Sequence, residues 1–176
     1  MTVVTEFRRA ADFWTGMVEP DYAECVARPA DLRAAFHAAI SLFHMHDWMW
    51  RTHESTVSAN FTLIDGNGRQ VRVHDAASFA SSLEQQCEDF GRIRSIANAA
   101  KHLELRDIRP VPNAASHAAN TAVQTTGWGQ GGFGKGSYGG APRVMLAGPN
   151  GNDMEFSDVA KGVYDMWGKL RIDYGW

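Results

Sequence analysis

Apolar residues recur at helical spacing through most of the first hundred positions and switch to alternation in two later stretches. Val3, Phe7, Ala10, Ala11, Phe13, Trp14 and Met17 predict a helix over 3–17 that stops before Glu19-Pro20. Pro20, suited to a first turn, is followed by Asp21-Tyr-Ala-Glu-Cys-Val, which predicts a second short helix ending near Arg28-Pro29. A long helix is expected from Pro29 or Ala30 to His53, with Asp31 in its first turn and Arg51 near its end, both favourable to the helix dipole. On a helical wheel Leu32, Phe36, Ala39, Ile40, Phe43 and Trp50 share one arc, which reads as the stripe facing the core.

Residues 59–64 and 70–74 flank Asp65-Gly66-Asn67-Gly68 and predict a β-hairpin. Asp75 is placed to cap a helix through Ser78 to Gln86. Cys87 to Leu105 reads as a further helix, bent near Gly91. After a connector with Pro110 and Pro112, Thr121 to Thr126 predicts a strand. Arg143–Ala147 and Asp153–Phe156, joined through Gly148-Pro-Asn-Gly-Asn, predict a second hairpin, and Ser157 is expected to cap a last helix over 158–170. The fold class is α+β: mainly a helical bundle, with an inserted β-hairpin and a C-terminal β-hairpin followed by a closing helix. One domain over 1–176 is expected, its helical body in 1–105 and the glycine-rich loop, hairpin and last helix in 106–176.

Charge and composition narrow the function classes. Seventeen basic against twenty acidic residues give a net charge of −3, which is no footprint for general duplex binding. Cys25 and Cys87 stand far apart without a CxxC, so neither a disulfide framework nor a zinc ribbon is suggested. The start of the chain reaches charge within six residues and has no apolar run of the kind a secretory signal needs, and no segment reads as a membrane span. A cytoplasmic location is the expectation. No cofactor is implied.

Two helices carry the candidate chemistry. By the wheel Asp47 falls near the centre of the apolar arc, about 20° from Phe36, where a carboxylate needs a partner. His44, Asp47 and Arg51 are spaced i, i+3, i+7 and form a local cluster. His46 points about 160° away from His44, and His53 stands about 10.5 Å along the axis from His46, so no histidine-only metal site is expected on this helix. On the later helix Phe90, Ile93, Ile96, Ala97, Ala100 and Leu103 make the apolar side, while Arg94, Asn98, Lys101 and His102 gather opposite. That row is an anion-attracting set beside an imidazole able to move protons near neutral pH, and it is the expected partner of Asp47. A buried structural anchor and a surface helix face are the bland alternatives, and a metal hydrolase using His44, Asp47 and His102 is a third. The segment Gly127–Gly140, with eight glycines in fourteen residues, satisfies GxGxxG but lacks the Ser or Thr after Lys135 that a Walker loop requires. It reads as a hairpin tip or partner-contact loop, with Trp128, Phe133 and Tyr138 as contact residues.

The segment from Phe90 to Leu105, the upstream HMHDW of residues 44–48 and a final aromatic helix containing Trp167 resemble a group of small bacterial helical proteins. The Asn98-x-x-Lys101-His102 string is also similar to the HEPN superfamily, many members of which are ribonucleases of toxin–antitoxin and phage-defence systems. That family places Arg, often followed by Asn, four to six residues before a catalytic His. Asn98 and His102 match, Ala97 stands where Arg is expected, and Arg94 lies outside the window. The resemblance implies a metal-independent module that binds or cleaves RNA or a nucleotide, as a homodimer, with His102 handling the proton, Arg94 and Lys101 stabilising phosphate charge and Asn98 orienting the reacting group. The alternative is a non-enzymatic interaction or regulatory protein.

Overall fold

The computed structural model describes residues 6–102, 117–126, 140–148 and 153–176. The first helix, α1 (Ala10–Phe13), begins later than the apolar pattern suggests, because the Asp12 carboxylate accepts the backbone N–H groups of Arg8 at 3.0 Å and Arg9 at 2.9 Å and holds that segment outside the helix. Nor does the chain break before Pro20. A π-helical turn, Trp14–Val18, leads directly into α2 (Glu19–Ala27). Proline lacks an N–H and crowds the carbonyl one turn back, and the wider turn before it accommodates both.

The third helix, α3 (Leu32–Asn60), is capped by Asp31, whose carboxylate accepts from Arg33 N at 3.0 Å and Ala34 N at 3.2 Å. Asp31 therefore precedes the helix instead of sitting in its first turn. At His53, where the pattern predicts an end, the backbone leaves helical geometry (φ −137°, ψ 31°) and then resumes it to Asn60. The hairpin that follows is correspondingly short: β1 (Thr62–Ile64) and β2 (Gln70–Arg72) pair antiparallel, with Leu63 opposite Val71. Asp65 Oδ1 accepts from Asn67 N and Arg69 N across the turn, and Gly68 supplies the positive φ of 75°.

Asp75 caps α4 (Ala76–Gln86) as expected, exchanging hydrogen bonds with Ser78. Helix α5 (Glu88–His102) runs through Gly91 without interruption; its predicted continuation to Leu105 lies outside the described residues. Strands β3 (Thr121–Thr126), β4 (Gly140–Leu146) and β5 (Met154–Glu155) form an antiparallel sheet in that order. The last helix, α6 (Phe156–Tyr174), starts two residues before the predicted Asp158. Phe156 is buried in the core as its first residue, so Glu155 takes the cap position and Ser157 donates its hydroxyl to Glu155 Oε1 at 2.5 Å.

The architecture is α+β and mainly helical, with α3 at its centre, packed against α1, α2, α4, α5 and α6. The sheet is fastened to the helices by burial of Val144 and Leu146 and by Val144 N donating to Pro29 O at 2.8 Å. The buried stripe of α3 differs from the predicted one. Ala39 and Phe43 are buried as predicted, together with Ala35, Ala38, Leu42, Met45 and Met49, whereas Leu32, Phe36 and Trp50 are half-buried and Ile40 is 38% exposed. Small side chains let α5 and α6 approach the centre of α3, and the bulkier rings lie at the margins. Among the described residues no helix is long and apolar enough to cross a membrane.

Candidate functional site

Rotating the α3 stripe reverses the expected environment of Asp47 and buries its neighbour His46. Asp47 is at the surface, its side chain 44% exposed, while His46 is buried at 5%. Asp47 finds its partners on its own helix. His44 Nδ1–H donates to Asp47 Oδ2 at 3.0 Å, with His44 itself half-exposed. This bond holds the Asp47 carboxyl below its usual range, helped by weaker attraction from Arg51. It also fixes the His44 tautomer and leaves Nε2 as the basic edge of the ring.

His46 lies between the rings of Phe43 and Phe90, with centroids 4.6 and 6.2 Å away. Its Nδ1–H donates to Phe43 O at 2.6 Å, and its Nε2 stands 3.5 Å from Asp47 Oδ1. Burial pushes its pKa down. Spacing sets His46 aside only as a metal ligand; the i, i+3, i+7, i+10, i+14 run of Ala35, Ala38, Leu42, Met45 and Met49 is the signal that places it beside the core.

The α5 row does not supply the partner for Asp47. Arg94 instead pairs with Glu84 of α4 at 2.9 Å, both side chains less than one-fifth exposed. Glu84 precedes Arg94 by ten residues and reaches it because α4 and α5 pack side by side. The guanidinium is nevertheless close enough to His46 for its charge to disfavour the imidazolium. Asn98 is half-buried and Lys101 exposed. His102 is the last residue of α5, and its side chain lies outside the described residues, as do the glycines and aromatic residues of 127–139.

A further buried cation went unpredicted. Arg92, 7% exposed, lies on the buried side of α5 and is paired with Glu88 and with Asp89, the latter at 2.5 Å. Asp89 in turn covers Gly162 of α6, where an added Cβ would stand 2.3 Å from Asp89 Oδ2. The apolar side of α5 is turned accordingly: Ala99 is buried and Ala100 exposed. The Glu88-Asp89-x-x-Arg92 spacing carried the signal for an internal ion pair.

Among the described residues no group of three His, Cys, Asp or Glu side chains is arranged to hold a metal ion. What the α3 surface offers is an imidazole backed by a carboxylate, on a helix packed directly against the one that bears Asn98 and Lys101. No protein-family model matches this chain, and neither do the curated proteins or the solved structures.

Proposed function

We propose that the face shared by α3 and α5 is a HEPN-like site that binds, and as an enzyme cleaves, RNA or a nucleotide. The observation that carries this reading is the exposed His44–Asp47 hydrogen bond, which gives a tautomerically fixed imidazole on a helix packed against the one that bears Asn98 and Lys101. In this scheme His102 takes the proton of the attacking 2′-hydroxyl, Lys101 offsets phosphate charge, and Asn98 orients the reacting group. His44, as an imidazolium stabilised by Asp47, returns a proton to the departing 5′-oxygen. Arg94 is engaged by Glu84, so the direct phosphate contact is assigned to Lys101. A homodimer joining two such faces, and a protein partner at the loop 127–140, belong to the same proposal.

The second reading is a non-enzymatic interaction or regulatory protein. It is favoured by one observation: Arg92 and Arg94 are both committed to carboxylates within the chain. Fluorescence anisotropy and gel analysis with labelled single-stranded RNA in EDTA separate the two. The proposal expects binding weakened by Lys101→Ala and cleavage abolished by His102→Ala or reduced by His44→Ala. RNA neither bound nor cut leaves the interaction reading.

A further inference from the structure

The buried imidazole of His46 is not used in the scheme above, yet its two nitrogens meet unlike surroundings. Phe43 O is a carbonyl and can only accept, so His46 Nδ1, 2.6 Å away, carries the hydrogen. In the neutral ring Nε2 then presents a lone pair. That lone pair faces Asp47 Oδ1 at 3.5 Å, an acceptor opposite an acceptor with no hydrogen between them. A single added proton turns this contact into an ion pair. The other carboxylate oxygen of Asp47 simultaneously accepts from His44 Nδ1–H at 3.0 Å.

We infer that His46 and Asp47 form a proton-binding pair, and that its occupancy sets how firmly Asp47 holds His44. His46 is thus a positioning residue for His44. The inference rests, for its functional meaning, on the reading of the α3–α5 face given above; the proton coupling itself does not.

The path for the proton is short. Asp47 is half-exposed and touches solvent, while the remaining sides of His46 are closed by Phe43 and Phe90. The charged and titratable groups acting on His46 are Asp47 and His44 from α3 and Arg94 from α5. Asp47 draws a proton onto Nε2, whereas His44 and Arg94 oppose it. Protonation makes His46 an imidazolium hydrogen-bonded to Phe43 O and paired in charge with Asp47 Oδ1. It then competes with His44 for the same carboxylate. Loading the buried ring therefore weakens the hold of Asp47 on the exposed one.

Imidazole nitrogen NMR during a pH titration tests this, using the full chain with 15N-labelled histidine. At neutral pH His46 is expected as the Nδ1–H tautomer with an unprotonated Nε2, and on acidification the Nε2 and His44 signals should move together. In Asp47→Asn, which keeps the shape of the side chain and removes its charge, His46 Nε2 should take up its proton only at a lower pH than in the unmodified protein. An Nε2–H tautomer for His46 at neutral pH would overturn the inference in the unmodified protein, without recourse to any variant. So would an unchanged His46 midpoint in folded Asp47→Asn. RNA cleavage without this coupling rejects the inference alone, and coupling without RNA binding rejects only the proposed function.

Discussion

Two of the buried polar side chains, His46 on α3 and Arg92 on α5, meet their partners in opposite ways. The terminal nitrogens of Arg92 are met by Glu88 and Asp89 of its own helix, while its Nε has no hydrogen-bond partner among the described residues, and Asp89 is pressed against α6 at Gly162, so the set of ion pairs is closed. His46 is closed on one edge by Phe43 O but opens on the other to Asp47, which meets both solvent and His44. A buried guanidinium remains charged at any pH the protein meets, and it needs its carboxylates throughout. A buried imidazole can be neutral and changes state near neutral pH. The first arrangement locks a helix seam. The second connects the interior to surface protonation.

Arg92→Ala makes the severest test of the closed set. It leaves Asp89 and Glu88 without their cation at the α5–α6 seam, and removing one partner of a buried pair costs about 3–5 kcal/mol. Because Glu88 is half-exposed, the low end applies, about 3 kcal/mol by urea denaturation and roughly 6–12 °C in Tm. A loss below about 1 kcal/mol would make Arg92 no more structural than a surface charge.

Gly162→Ala strikes the same seam from α6. Alanine gains about 1 kcal/mol of helix propensity over glycine. Its Cβ, however, cannot coexist with Asp89 Oδ2 at 2.3 Å and Cγ at 3.2 Å, and Asp89 is short and tied to Arg92. Overpacking of about 2–3 kcal/mol should prevail, for a net loss near 1–2 kcal/mol. In an Asp89→Ala background the same substitution should become stabilising, which separates steric conflict from any general intolerance at the position.

These contacts also show where the sequence was legible. Local chemistry was readable: the Asp75–Ser78 cap, the Asp65–Gly68 turn and strand β3 stand where their residues predict. What failed was the direction of a face. On α3 the predicted stripe is centred near Phe36, Ile40 and Trp50, but that helix is contacted by five others and buries Ala35, Ala38, Leu42, Met45 and Met49 most deeply. The error moved Asp47 inward, whereas it is half-exposed and the buried polar residue is its neighbour His46. On α5 the row was correctly assigned to a polar side for Arg94, Asn98 and Lys101, yet Glu84, which claims Arg94, sits on another helix and could not be paired from spacing alone. Helical periodicity reports faces; it does not report which neighbour arrives at each.

The open arrangement should appear in the pH dependence of stability. Burial lowers the folded pKa of His46, so below the ordinary histidine value near 6.5 the unfolded chain binds a proton that the folded chain resists. Stability is therefore expected to fall as pH drops from about 6.5 towards the lower folded value. His46→Phe should shallow that decline. His53, also lowered by desolvation, keeps part of it in place. At still lower pH the depressed Asp47 and Asp75 carboxyls act in the same sense: their stabilisation is complete above the unfolded value near 3.9 and is lost as pH falls through the folded one. Chemical denaturation from pH 7 to 5, comparing the two proteins, reads the difference. Parallel curves would remove His46 from the account of proton uptake.

The smallest stability effect is expected where the proposed chemistry is greatest. The His44–Asp47 pair is about half in water, so its contribution is screened, and His44→Ala should cost at most about 0.5 kcal/mol, or roughly 1–2 °C in Tm. The same substitution removes the fixed Nε2 edge from the α3 surface and, under the proposed function, should diminish RNA cleavage while leaving the melting curve nearly unmoved. His44→Gln sharpens the point: its amide retains a donor for Asp47 but cannot carry a proton, so it should restore the remaining stability without restoring turnover. A loss above about 2 kcal/mol in His44→Ala would instead place this pair with Arg92, as a fastening of α3, because a merely surface contact cannot supply a loss of that size.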